Sequence, residues 1–67
     1  MATEERRVLL AALAGLPPRQ REILALRYYA DMPDAEIAAT LGITRGTVAS
    51  AASRALTALA SRLKEEI

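Results

Sequence analysis

Between Thr44 and Arg54 the chain reads Thr-Arg-Gly-Thr-Val-Ala-Ser-Ala-Ala-Ser-Arg. The chemistry on offer there is binding, not bond-making. Thr44, Arg45, Gly46 and Thr47 have the composition of a helix start, where free backbone amides and the helix dipole favour a phosphate. Arg45 has no apolar role at such a place, and its functional reading is a contact to nucleic acid. The hydroxyls of Ser50 and Ser53 can donate to bases or phosphates, and the methyls of Ala49 and Ala51 can touch thymine methyls. Plainer readings compete: Thr44 as a helix cap alone, and the Ala-Ser run as a bare helix surface or as a face for close protein contact. The sequence leaves these open. Arg19 and Arg21 form a second cationic site, readable as a clamp on a nucleic-acid backbone or as a solvated helix face.

Bond-making chemistry has little to work with. The chain contains no Cys and no His, which removes disulfides, thiolate nucleophiles and the usual zinc, haem and iron–sulfur ligands. Acid–base candidates reduce to carboxylates such as Asp31, Asp34, Glu36, Glu65 and Glu66, with no paired pocket expected in so small a domain. No enzyme activity, cofactor or metal is therefore expected. No apolar run approaches the roughly 20 residues needed to span a bilayer, and the charged N-terminus is unlike a signal peptide, so a cytoplasmic protein without membrane contact is expected. The basic residues of the last helix are too sparse and too mixed with acids for a membrane-surface helix.

These side chains need a scaffold, and 67 residues supply one core. The core must be aliphatic, since Phe and Trp are absent and Tyr28 and Tyr29 are the aromatics. Abundant Ala favours helix throughout. Net charge is +1, but residues 1–30 carry five Arg and three Glu, 31–42 carry three acids, and 43–67 carry three Arg, one Lys and two Glu. The ends are mildly basic and the middle acidic, short of the strongly basic balance of a free-standing nucleic-acid binder.

The periodicity predicts one all-α domain over residues 1–67 with helices at about 3–14, 18–29, 34–41 and 45–65. Thr3 caps the first, with Glu4 and Glu5 at the positive end of its dipole, and Gly15 ends it. Pro17 and Pro18 suit the first turn of the second, which Asp31-Met32-Pro33 breaks. Gly42 takes a left-handed conformation to close the third, and Thr44 caps the long fourth. Val48, Ala52, Ala55, Leu56, Leu59 and Leu63 form its apolar stripe. Leu9, Leu13, Leu16, Ile23 and Leu26 are core candidates, and the N-terminal excess of Leu9, Leu13 and Leu16 could also leave a groove for a partner helix. Arg62, Lys64, Glu65 and Glu66 read as a solvated helix end.

Ala35 to Arg54 combines a short helix, a turn at Gly42-Ile43-Thr44 and a capped helix, the pattern of a helix-turn-helix with a long C-terminal recognition helix. Ala38 is small where the helices cross, and Val48 locks the second onto the first, with Ile37, Leu41 and Ile43 completing the shared core. Within and before this unit, Leu16-Pro17-Pro18-Arg19-Gln20-Arg21-Glu22-Ile23-Leu24, Leu26-Arg27-Tyr28, Glu36-Ile37-Ala38, Leu41-Gly42-Ile43 and Gly46-Thr47-Val48 together resemble region four of bacterial sigma factors, especially the extracytoplasmic-function group. The resemblance covers nearly the whole chain. It implies a domain that binds the minus-thirty-five promoter element and docks on the flap of the RNA polymerase β subunit, with an anti-sigma factor or another regulator as a further partner. Region two, which opens promoters, is not in this sequence, so an excised domain or a stand-alone relative is expected.

Ser50 and Arg54 match the family's recognition helix. Ala49 and Ala51 stand where the family usually carries cations, and a weak intrinsic grip on DNA is the expectation. The DNA-facing set is thus Arg19, Arg21, Thr44, Arg45, Thr47, Ser50, Ser53 and Arg54. The rival reading is a sigma-like module that binds a regulator or a second copy of itself. Arg27 and Glu36 are expected to form an ion pair between the second and third helices.

Overall fold

The computed structural model describes the backbone of residues 3–66 and side chains through Lys64; the Glu65 and Glu66 side chains lie outside the described residues. Four helices follow in order: α1 (Glu4–Ala14), α2 (Pro18–Leu24), α3 (Asp34–Leu41) and α4 (Arg45–Glu66), with one π-helical turn, Ala25–Tyr29, continuing α2. The fold is all-α.

Each helix start and stop has a local cause. The Thr3 hydroxyl accepts the Arg6 N–H at 3.2 Å, and Glu4 and Glu5 occupy the first turn of α1. One otherwise unpaired donor is thereby satisfied, at the dipole end where carboxylates are favourable. At the other end the Gly15 N–H returns to Ala11 and Ala12, and the Arg21 guanidinium donates to the Ala14 carbonyl at 3.1 Å. Gly15 also admits a close neighbour, because a Cβ there would overlap the Arg62 guanidinium. Arg62 thus packs its head on the α1 corner, although its residue remains exposed at what had read as a plain solvated helix end.

Pro17 and Pro18 open α2 at positions where a missing N–H costs nothing. The helix does not run uniformly to Tyr29. Ala30 N–H bonds to Ala25 O at 3.0 Å, a spacing of five residues, and Met32 N–H reaches Leu26 O at 3.0 Å. Single π turns of this kind are rare and recur at functional positions. Asp31 then reverses the chain at φ 57°, the left-handed region that Asp tolerates better than most residues.

The expected tie between α2 and α3 exists with a different partner. Arg27 Nε lies 3.2 Å from Asp34 Oδ1, not on Glu36, and its guanidinium sits 5.8 Å from the Tyr28 ring centroid. Asp34 is the first residue of α3, immediately after the turn that Arg27 closes, whereas Glu36 lies on the exposed side of that helix. Gly42 closes α3 at φ 69°, ψ 35°, with its own N–H and that of Ile43 both on the Ala38 carbonyl. Only glycine takes that conformation freely.

α4 is the common support, in contact with α1, α2 and α3. Val48, Ala52, Ala55 and Leu59 form its buried row, three or four residues apart, and join Ala12, Leu16, Ile23, Leu24, Ile37 and Ala38 in one core. Ala52 and Ala55 are fully buried, and their small side chains let the other helices approach closely. Leu56, expected in this row, is 43% exposed, and Leu9 is 40% exposed. Leu56 lies outside the strip of α4 that the other helices bury, and Leu9 lies on an uncovered side of α1.

A candidate nucleic-acid interface

α3, the Gly42 turn and the N-terminal half of α4 form the helix-turn-helix. Its second helix is started by Thr44, whose Oγ1 accepts the Thr47 N–H at 3.0 Å and lies 2.9 Å from the Thr47 Oγ1. One hydroxyl proton links the two threonines, leaving the other O–H free to donate outward. Thr44→Ala is expected to lower stability by about 0.5–2 kcal/mol, typical of a lost N-cap. An unshifted urea midpoint would show that the cap contributes nothing.

Arg45, Thr47, Ala49, Ser50, Ser53 and Arg54 are all exposed. Thr44, Gly46, Thr47, Ser50, Ala51 and Arg54 line one shallow concavity of about 440 Å³. Arg45 and Ser53 are exposed on the same half-helix outside that concavity. Among the described residues neither Arg45 nor Arg54 enters an ion pair. Their charges remain available to an external anion.

Arg19 and Arg21 are engaged within the protein. Arg19 lies 3.6 Å from Glu22 across one helical turn, and Arg21 holds the Ala14 carbonyl. Arg21 also lines a second feature, an apolar groove of about 490 Å³ between α1, α2 and α4. Leu9, Leu13, Leu24, Tyr28, Tyr29 and Leu56 are prominent in its wall. Leu9 and Leu13, read as partner-facing, do reach this groove, whereas Leu16 is only 4% exposed and belongs to the core.

Sequence reasoning missed Tyr28, Tyr29 and Leu56 as groove residues. One signal was present: adjacent residues on a helix point about 100° apart, so two neighbouring tyrosines cannot both face one core. Tyr28 is 60% and Tyr29 93% exposed.

A helix-turn-helix with a capped second helix and uncovered cations defines a nucleic-acid-binding class of small domain. The comparisons with known proteins then fix the family. The family described as Sigma-70, region 4, matches residues 6–59, and the chain belongs to it. That family is a non-enzymatic domain of transcription initiation factors. The RNA polymerase sigma-E factor of Streptomyces coelicolor is 42% identical over 69 residues, covering 98% of this chain and 37% of that protein. The sigma-E factor of Streptomyces antibioticus is 41% identical over 63 residues, 94% of this chain and 33% of that protein. The chain thus spans about a third of the length of these curated relatives. No solved structure matches it. Among the described residues, no helix is long and apolar enough to cross a membrane.

Proposed function

We propose that this domain recognises the minus-thirty-five promoter element through α4 and docks on the β flap of RNA polymerase through the groove between α1, α2 and α4. The observation that carries the reading is the exposed pair Arg45 and Arg54, without an ion-pair partner among the described residues, on the capped second helix of a sigma region 4 fold. Thr44, Thr47, Ser50 and Ser53 supply hydroxyls beside them. Two cations make a weak grip, since each neutralised phosphate contributes about 0.9 to the salt dependence of binding. Attachment to polymerase compensates by raising the local concentration of the reader at the promoter. Arg19 and Arg21 support the reading least, because both already have partners within the domain.

The test is binding to a promoter duplex over a range of salt concentrations. Arg45→Ala with Arg54→Ala is expected to flatten the slope of log affinity against log salt by about 1.8, two phosphates' worth. No sequence preference at low salt in the wild type, with an identical double mutant, would refute direct promoter reading by the domain.

The apolar groove favours a second reading, in which the sigma fold mainly binds an anti-sigma factor or another regulatory protein. Its exposed Leu9, Tyr28 and Leu56 suit an amphipathic partner helix. Chemical-shift mapping separates the two readings by showing whether DNA perturbs α4 or a protein partner alone perturbs the groove.

A further inference from the structure

The disposition of charge around α4 points to how the promoter is read. Arg45 and Arg54 are nine residues apart, which at about 100° per residue is two full turns and a half. They therefore stand on opposite flanks of the helix, about 13 Å apart along its axis. One arc between these flanks holds Val48, Ala52 and Ala55, which are buried, with the half-buried Ala51 and the exposed Thr47 at its edge beside Arg54. The other arc holds Gly46, Ala49, Ser50 and Ser53, followed by Leu56 and Thr57, all exposed. From Arg45 to Thr57 the helix carries no other charged residue.

A helix with its side chains is about 10–12 Å across, close to the roughly 12 Å width of the major groove. When the exposed arc faces the groove floor, the flanking positions face the two walls, which are phosphate backbones. We infer that Arg45 and Arg54 hold the two phosphate walls without reading bases, and that sequence preference comes from the uncharged arc, chiefly the Ala49 methyl on a thymine C5-methyl. Guanine is distinguished mainly by a bidentate Arg or Lys on O6 and N7, and no such side chain stands on this arc. Ser50 and Ser53 bond to either base type and bring little discrimination. The preference is therefore for thymine at a defined position. This inference rests on the proposed DNA reading.

The experiment starts by selecting duplexes from a randomised pool with the full chain at low salt, then chemically edits the enriched duplex. Replacing the contacted thymine by uracil, which removes only the methyl, is expected to weaken binding about fourfold, the effect of one buried methyl-sized group. Replacing guanines by 7-deazaguanine, which removes N7, is expected to leave affinity unchanged. Arg45→Ala and Arg54→Ala are each expected to weaken selected and scrambled duplexes by the same factor, and Ala49→Gly to erase the thymine-to-uracil difference. The DNA edits leave the protein untouched, so they decide the matter even if a variant folds poorly. Binding that is indifferent to uracil, sensitive to 7-deazaguanine, or changed in sequence preference by either Arg substitution would overturn the inference while leaving promoter reading in place. Failure to bind any duplex at low salt would overturn both.

Discussion

Ile37→Ala is expected to lower stability by about 2–5 kcal/mol, the usual result of truncating a buried Ile. A single core in a chain of this size rarely supplies more than about 3–5 kcal/mol, so the variant should be largely unfolded at room temperature. The expectation rests on how α3 is held. That helix has eight residues and no side-chain hydrogen bond at its N-cap. Its buried residues are Ile37 and Ala38, and only Ile37 is large. The Arg27–Asp34 pair adds little, since both side chains keep a quarter or more of their surface in water, where such pairs contribute about 1 kcal/mol or less. Removing Ile37 therefore leaves a cavity between α3 and the α4 row containing Val48, with little else to keep the helix-turn-helix together. Leu10→Ala is the control: Leu10 is 52% exposed, and its truncation should shift the midpoint far less. Circular dichroism during urea titration checks both. An Ile37→Ala midpoint within error of Leu10→Ala would mean that α3 is held by something other than this side chain.

The helices were legible because their ends are chemical. Thr3 and Thr44 cap through hydroxyls, Pro17 and Pro18 exclude a continuous first helix, and Gly42 supplies the left-handed residue that the turn needs. These are short-range causes written in single residues. The π turn was not legible for the opposite reason. An α turn and a π turn differ by one residue in hydrogen-bond offset, and nothing in Ala25-Leu26-Arg27-Tyr28-Tyr29 forbids the first. The choice of Asp34 over Glu36 by Arg27 depends on how the chain leaves that widened turn, and so it was hidden too. At the site, Thr44, Arg45, Thr47, Ser50, Ser53 and Arg54 could be placed on one half-helix from spacing alone. Arg19 and Arg21 could not be separated from them, because a sequence does not show that a guanidinium already has a carboxylate or a carbonyl nearby. The apolar stripe of α4 was read too wide for a similar reason. Helical period locates a stripe, but its buried width depends on where α1 and α2 lie, and that leaves Leu56 on the groove.

That uncovered strip leads to the second large effect. Leu56→Asp is expected to weaken capture of a β-flap helix peptide about thirtyfold or more, the effect of losing a central apolar anchor at an interface. Leu56 already shows 43% of its surface, so the substitution costs the isolated fold far less than a change at Ile37. In the complex the new carboxylate would have to lose its water against Leu9, Leu13 and Tyr28, an unfavourable transfer without a full partner. Arg21, in the same wall, can screen the charge but cannot restore the lost apolar contact. Leu56 stands seven residues beyond Ala49 on nearly the same side of α4, so the duplex control is Tyr28→Ala, which lies off α4 in the same groove and should bind a promoter duplex as the wild type does. Calorimetry with the flap peptide and fluorescence anisotropy with the duplex read the two surfaces separately. If Leu56→Asp and Tyr28→Ala both bind the peptide normally while circular dichroism shows them folded, the groove is not where polymerase docks. Loss of duplex binding together with peptide binding in Tyr28→Ala would mean that the two surfaces cannot be altered independently, because α4 carries both.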